Sequence, residues 1–204
     1  MARVKFTDEA DRLLTKQTNL YRLQTDVDHL IIAAGTGGNF VLAEGTVKKL
    51  HAIAMEGLLT TPGFYRTGQV AIKNSAHQPC LPEHVPPHMG DMCEYLRDNW
   101  ATKDLVHLAA YTMWRINWIH PFENGNGRTA RAVSYLVLCA KYGGLLPAKN
   151  TVIQQIIDNK GPYYAAHVEC DKEFDRTGDM GCLLTLEELI ARLLKAQLIA
   201  SLPP

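Results

Sequence analysis

The chain has 204 residues, 47% hydrophobic and 21% charged, and its 21 basic and 21 acidic side chains cancel to a formal net charge of zero. This is the composition of an ordinary globular protein, and the balanced charge gives no support to a role at nucleic acids or membrane surfaces. No apolar run approaches the roughly 18 residues that span a bilayer, and the first residues lack the pattern of a signal peptide.

A long helix is predicted over residues 7–32. Thr7 or Asp8 is a suitable N-cap, and apolar residues follow at intervals of three and four. The glycine-rich residues 35–38 come next. Because no Lys-Ser or Lys-Thr pair follows them and no strand precedes them, they fit a flexible connection better than a phosphate loop.

A second helix is predicted over residues 43–59, with His51 as a packing residue at the edge of its apolar face. Residues 61–72 are the one convincing extended region. Pro62 and two glycines punctuate a run of aromatic and β-branched residues there, which predicts a short β-hairpin.

The proline-rich residues 73–89 contain three histidines, His77, His84 and His88. Their spacing does not match a zinc pattern, so we interpret this segment as a rigid connector. The next helix is predicted to start near Pro86 or Pro87 and to end near residue 99.

The most distinctive stretch is residues 120–131, His-Pro-Phe-Glu-Asn-Gly-Asn-Gly-Arg-Thr-Ala-Arg. A helix is predicted before it, over residues 103–118, from the apolar spacing. Pro121 should then push His120 toward an extended conformation, which ends the helix and presents the imidazole on a loop. After the motif a helical pattern resumes and is predicted to end at residues 143–144, a Gly-Gly pair.

Within this stretch, Gly125 and Gly127 permit positive φ, so that successive N–H groups can turn inward to bind an anion. Arg128 and Arg131 are expected in the first turn of the following helix, where positive side chains oppose the helix dipole unless an anion is bound. The alternative is a structural histidine with two solvated arginines, which explains the whole combination less well. An anionic ligand is the simplest interpretation.

These residues resemble the signature of the Fic-domain family, His-Pro-Phe-x-(Asp or Glu)-Gly-Asn-Gly-Arg-x-x-Arg, and eleven of the twelve positions are compatible with it. In that family the histidine is a general base for a hydroxyl of a target protein, which attacks the α-phosphate of ATP and acquires AMP. The resemblance implies that His120 is the base. It further implies that Phe122 anchors the loop in the core, that Gly125, Asn126 and Gly127 cradle phosphates, and that Arg128 and Arg131 hold the outer phosphates.

One position departs from the signature. Where the family has an acid that holds Mg²⁺, this chain has Asn124, and the nearest carboxylate is Glu123. Mg²⁺ accepts amide oxygens but gains more from a carboxylate, so we expect weakened metal binding, through Asn124 or through a turned Glu123. The departure also leaves open a different transferred group.

The resemblance implies further that residues 63–72 form a flap that lines up an extended segment of the protein substrate. A plain structural hairpin is the alternative there. Helices are also predicted over residues 150–159 and 185–200, with a loop over 175–181 before the last one. Tyr163 and Tyr164 resemble a tyrosine pair that the family places near the nucleotide base. The pair fits adenine stacking and a pair of core aromatics equally well.

We therefore expect an all-α, single-domain Fic-type bundle with one short β-hairpin flap. Its core would span about 43–172, with the helices 7–32 and 185–200 packed on it. The expected function is AMP transfer from ATP to a protein hydroxyl; the alternatives are an impaired nucleotide- or peptide-binding module and transfer of another phosphate-linked group. No internal inhibitory motif is recognised, which leaves three possibilities: control by a regulatory partner, control by oligomerisation such as a homodimer, or no control of this kind. Five widely spaced cysteines without a Cys-x-x-Cys pair favour a reduced, cytoplasmic protein.

Overall fold

The computed structural model describes residues 4, 6, 8–37, 40–72 and 75–202. Over these ranges the chain forms eight α-helices and two 3₁₀ turns, Pro82–His84 and Met180–Leu183. The helices are α1 (Glu9–Gly37), α2 (Glu44–Met55), α3 (Val85–Asn99), α4 (Leu105–Ile119), α5 (Asn126–Tyr142), α6 (Val152–Asp158), α7 (Lys160–Thr177) and α8 (Leu184–Ile199). The prediction of an all-α fold is confirmed.

Helix α4 lies at the centre of the bundle. Its nine consecutive residues from Leu108 to Ile116 are all buried, which is typical of a helix covered on every side. Helix α5 packs against it, and α1 and α2 cover α5, while α3, α7 and α8 cover α4. The loop between α4 and α5, which carries the distinctive motif, therefore joins the two helices at the centre of the bundle.

Two helix ends are set by interactions between residues close together in the sequence. Asp104 caps α4 by accepting a hydrogen bond from the His107 N–H at 2.8 Å. Gly143 ends α5 in the left-handed conformation, with φ 97°, as the glycine pair predicted. The other predicted helices also occur, with ends displaced by a few residues.

The first and seventh helices differ from expectation. Helix α1 continues to Gly37 and so contains the glycines predicted to form a connection, while Gly38 lies outside the described residues. Its buried face consists of residues spaced by four, namely Asn19, Leu23, Val27 and Ile31, whereas Leu13 and Leu14 of the predicted face are exposed. The loop predicted over 175–181 is partly wrong, because α7 extends to Thr177 and a 3₁₀ turn follows.

The predicted β-hairpin at residues 61–72 is also wrong: this segment contains no strand. Its backbone donors bond elsewhere, since the Gly63 N–H donates to Nδ1 of His51 at 2.9 Å and the Arg66 N–H donates to the Pro121 carbonyl at 2.9 Å. A backbone whose donors are used in this way cannot also pair across a hairpin. The segment is instead attached to the motif loop.

Among the described residues, no helix combines the length and the hydropathy needed to cross a bilayer.

Candidate active site

His120 occupies the junction between α4 and the motif loop. Its φ of 52° and ψ of 57° are left-handed, and its N–H donates to the Ile116 carbonyl at 3.0 Å. The predicted extended conformation is therefore wrong, because this residue closes the last turn of α4 as a C-cap. A left-handed conformation costs a residue with a side chain about 1–2 kcal/mol. Contacts from neighbouring residues must therefore hold this conformation.

Arg66 supplies those contacts, and sequence analysis missed it. The side chain is only 3% exposed, and its Nε donates to the His120 carbonyl at 2.8 Å. The two Nη atoms donate to the carbonyls of Cys80 at 2.6 Å, Gly68 at 3.1 Å and Ile119 at 3.3 Å. A buried guanidinium at the C-terminus of α4 is favoured by the helix dipole, and it fixes the backbone that carries the imidazole.

The imidazole of His120 is held in one orientation by Asn117. Its Nδ1 lies 3.2 Å from the Asn117 carbonyl oxygen, which only accepts, so Nδ1 carries the proton and Nε2 keeps its lone pair. The pKa of His120 is lowered to about 4, mainly by burial and to a smaller extent by the charges of Arg66 and His77, against the opposing effect of the Asn117 hydrogen bond. The ring is thus neutral at neutral pH, as a general base must be.

The floor of the loop is a stack of two rings. Phe122 is fully buried, and its ring lies parallel to that of His51 with centroids 3.6 Å apart. His51 bonds the Asn124 carbonyl through Nε2 at 2.9 Å and the Gly63 N–H through Nδ1, and burial lowers its pKa to about 4. Phe122 therefore lies in the core, as the anchor role implied, and its side chain has no surface that a ligand could contact. His51 has more contacts than the predicted packing role required.

Asn126 closes the loop on itself. Its side-chain Oδ1 accepts from the Phe122 N–H at 2.9 Å and its Nδ2 donates to the Phe122 carbonyl at 2.7 Å. This buried amide is therefore not free to contact phosphate as expected, although the backbone N–H groups of Asn126 and Gly127 have no acceptor within the described residues. The hydrogen-bond donors that remain free at this position therefore belong to the backbone.

Gly125 has to be a glycine for two reasons. Its φ of 83° is left-handed, and a Cβ would lie 2.6 Å from the sulfur of Met55. Gly127 instead lies in the first turn of α5 and does not take a positive φ; a Cβ there would be 3.4 Å from Nη1 of Arg131.

The two arginines lie in successive turns of α5, so the expectation that both stand in the first turn holds only for Arg128. Nη1 of Arg128 donates to the Ala54 carbonyl near the end of α2 at 3.0 Å, and burial together with Arg131 lowers its pKa. Arg131 lies near Tyr163 and His167. Burial and the Arg131 charge lower the pKa of His167 to about 3, and its Nε2 has no hydrogen-bond partner among the described residues.

The tyrosine pair is divided between core and surface. Tyr163 is 4% exposed, and its hydroxyl accepts a hydrogen bond from Nδ2 of Asn117 at 2.9 Å. Tyr164 is 58% exposed. Tyr163 is thus a core aromatic that links α7 to the residue orienting His120, and Tyr164 alone has a ring face available for stacking.

The residues at the predicted magnesium position do not fit this metal. Oδ1 of Asn124 already accepts the Gly125 N–H at 2.7 Å, and Glu123 is exposed. Within the described ranges, no three His, Cys, Asp or Glu side chains are grouped to hold a metal ion. An uncharged oxygen that is already bonded is a poor ligand for a hard cation such as Mg²⁺.

A cavity of about 320 Å³ borders the loop. Asn124 and Arg128 form one wall, and α1 supplies Glu9, Arg12 and Lys16 from the other side; the remaining lining residues are apolar, namely Val4, Phe6, Met55 and Leu58. A smaller cavity of about 60 Å³ is lined by both arginines of the motif together with residues of α1 and α6. Arg128 therefore lines both cavities and Arg131 lines the smaller one. The contribution of α1 to this space could not be foreseen from the motif.

The model of the Fic/DOC family matches residues 41–138 of this chain, a range that includes the whole motif. This chain therefore contains a Fic/DOC-family domain at residues 41–138. The protein adenylyltransferase fic-1 of Caenorhabditis briggsae is 35% identical to it over 77 residues, which are 37% of this chain and 15% of that protein. This Fic-family chain thus spans a small part of the length of the curated relatives that it matches.

Solved structures agree on the fold. A Fic-domain signaling protein from Bacteroides thetaiotaomicron superposes on the chain with a TM-score of 0.69 at 21% identity, covering 91% of this chain and 73% of the other. Fic-1 of Caenorhabditis elegans superposes with a TM-score of 0.66 at 20% identity, covering 96% of this chain and 52% of the other. The prediction of a Fic-type all-α bundle is confirmed.

Proposed function

We propose that this Fic-family chain is a transferase that moves AMP from ATP to a hydroxyl of a protein. The observation that carries the proposal is a neutral imidazole, oriented by Asn117 and fixed by Arg66, at one end of a loop whose other end is a helix N-terminus followed by Arg128 and Arg131. Phosphoryl and nucleotidyl transfers rely mainly on such positioning and charge stabilisation. The adenylyltransferase relatives support the same reaction class.

In the proposed step, the target hydroxyl gives its proton to Nε2 of His120 while its oxygen attacks the α-phosphorus. A new P–O bond forms, the bond from the α-phosphorus to the oxygen that bridges to the β-phosphate breaks, and pyrophosphate leaves with that electron pair. The free N–H groups of Asn126 and Gly127 and the two arginines would stabilise the negative charge. A negative phosphate beside His120 would raise its pKa from about 4 and make it a stronger base.

We propose further that the protein substrate lies along residues 63–72. This segment is attached to His120 through Arg66, and its Phe64 is 72% exposed, which offers an apolar contact. For the nucleotide base we propose stacking on Tyr164, whose ring is accessible. All five cysteines are free thiols, which supports the proposal of a cytoplasmic protein.

Radiolabelled ATP separates this function from a silent nucleotide- or peptide-binding module. The intact chain and His120→Ala would be incubated with labelled ATP and a cell extract, and labelled protein would be counted. Label that depends on His120 supports the transferase, whereas equal labelling by both chains would refute it. The mass added to a modified target would distinguish AMP from another phosphate-linked group.

A further inference from the structure

We propose that the 320 Å³ cavity binds a polyphosphate through protein cations, with Arg12 and Lys16 of α1 acting where a divalent metal would otherwise neutralise the charge. This inference rests on the proposed function, because it concerns the nucleotide of the same site. The new element is a phosphate-binding role for α1, a helix outside the motif.

The side-chain oxygen of Asn124 is not available to a metal ion. A Mg²⁺ bound beside the phosphates would need an anionic or free oxygen here, but the amide oxygen already accepts the Gly125 N–H at 2.7 Å. The exposed Glu123 does not line the cavity. The wall formed by the motif loop therefore has no carboxylate to hold a divalent ion.

Helix α1 contributes two cations to the cavity. Arg12 and Lys16 are four residues apart, so they lie on one face of α1, and both line the cavity together with Arg128. Glu9 is the one carboxylate among the lining residues, and it bonds Arg12 at 3.0 Å. Lys16 forms no ion pair within the part of the chain that the structure describes. Three cations thus face the cavity against a single acid.

The cationic lining is electrostatically unfavourable while the cavity holds no anion. Three positive side chains around one cavity repel each other. A polyphosphate relieves it and gains charge-assisted hydrogen bonds. Because a bound Mg²⁺ cancels part of the ligand charge, the cation-lined cavity should favour the metal-free polyphosphate. Replacing a metal-binding acid by a neutral asparagine is consistent with this arrangement.

Titration calorimetry tests the inference directly. Sodium tripolyphosphate and ATP would each be titrated into the intact chain in EDTA, and again with Mg²⁺ in excess. We expect both ligands to bind in EDTA at least as tightly as with Mg²⁺. Binding that requires Mg²⁺, or no binding under either condition, would overturn the inference.

Two variants localise the effect. The double variant Arg12→Gln/Lys16→Gln should weaken tripolyphosphate binding in EDTA by about tenfold or more, since hydrogen bonds to charged groups are the stronger class. Arg22→Gln is the matched control, because Arg22 lies on the same helix, is half-exposed beside Glu56 and does not line the cavity. Equal affinities for the double variant and the control would contradict the role of α1.

Asn124→Asp provides the reverse test. The new carboxylate keeps an oxygen for the Gly125 N–H but repels phosphate, so affinity in EDTA should fall and Mg²⁺ should restore it. An Asn124→Asp chain that responds to Mg²⁺ no more than the intact chain would contradict the inference. These results are separable from the proposed function, because metal-free binding without transfer refutes only the transferase, and transfer that requires Mg²⁺ refutes only the cation-based site.

Discussion

Nε of Arg66 donates a hydrogen bond to the carbonyl of His120 at 2.8 Å, across 54 positions of sequence. The same guanidinium bonds the carbonyls of Cys80 and Gly68, so one side chain connects the segment after α2, the segment before α3 and the end of α4. The residue that we propose as the general base is therefore held by a buried residue that does not belong to the motif.

Replacing Arg66 by lysine keeps the charge but loses the planar arrangement of donors. We expect Arg66→Lys to lower the free energy of unfolding by about 2–4 kcal/mol, because buried carbonyls lose their partners. Labelling activity should fall in parallel at temperatures where the variant remains folded. Urea denaturation measures the first effect, with the half-exposed Arg22→Lys as control. Equal stability of the two variants would show that the Arg66 contacts are dispensable.

Acid should destabilise the chain at a higher pH than carboxylate titration alone would. Burial lowers the pKa of His51 and His120 from 6.5 to about 4, and that of His167 to about 3. Below 6.5 the unfolded chain therefore binds protons that the folded chain does not, so stability falls as the pH decreases from 6.5 toward 4. Unfolding free energies measured between about pH 7 and about pH 5.5, above the ordinary carboxylate range, should decrease. A flat profile would contradict the buried neutral state of these histidines.

Gly125→Ala should be strongly destabilising. The substituted residue would have to keep a φ of 83°, and its Cβ would lie 2.6 Å from the Met55 sulfur. The left-handed conformation alone costs about 1–2 kcal/mol, and the steric overlap adds to it. Gly144→Ala is the control, because its Cβ would meet nothing within 4 Å and its φ is not left-handed. Thermal denaturation of the two variants should give a much lower Tm for Gly125→Ala, and similar values would refute the argument.

The tyrosine pair gives opposite expectations for its two members. Tyr164→Ala should leave stability nearly unchanged and weaken ATP binding by about 1–3 kcal/mol, the range measured for base stacking on aromatics. Tyr163→Phe should instead destabilise the fold, because Nδ2 of Asn117 loses one of its two acceptors and keeps only the Met113 carbonyl. Calorimetric affinities and urea midpoints for both variants distinguish the roles. Unchanged ATP affinity in Tyr164→Ala would remove this residue from the site.

The helices and the motif could be predicted because their signals are local. The apolar spacing of 105–119, the cap at Asp104 and the glycine that ends α5 each act within a few residues of chain. The motif could also be recognised from the sequence, since its reactive residues are close together in the chain. These features did not depend on knowing which distant segments pack together.

The rest depended on contacts between distant segments. The run of aromatic and β-branched residues around Arg66 is a reasonable hairpin pattern, yet its donors bond His51 and Pro121 instead of each other. The available signal for the role of Arg66 was a charged residue inside an otherwise apolar run. For Asn117, the corresponding signal was an amide within an apolar helix. Nothing local in α1 indicated that Arg12 and Lys16 face the motif loop.

The central claim is that His120 activates a hydroxyl for attack on the α-phosphate. It is tested most directly by parallel reactions with ATP labelled on the α-phosphate and ATP labelled on the γ-phosphate, each with the intact chain and with His120→Ala. We expect protein-bound label only from the α-labelled nucleotide and only with the intact chain. Label from the γ-position, or label that persists without His120, would contradict it.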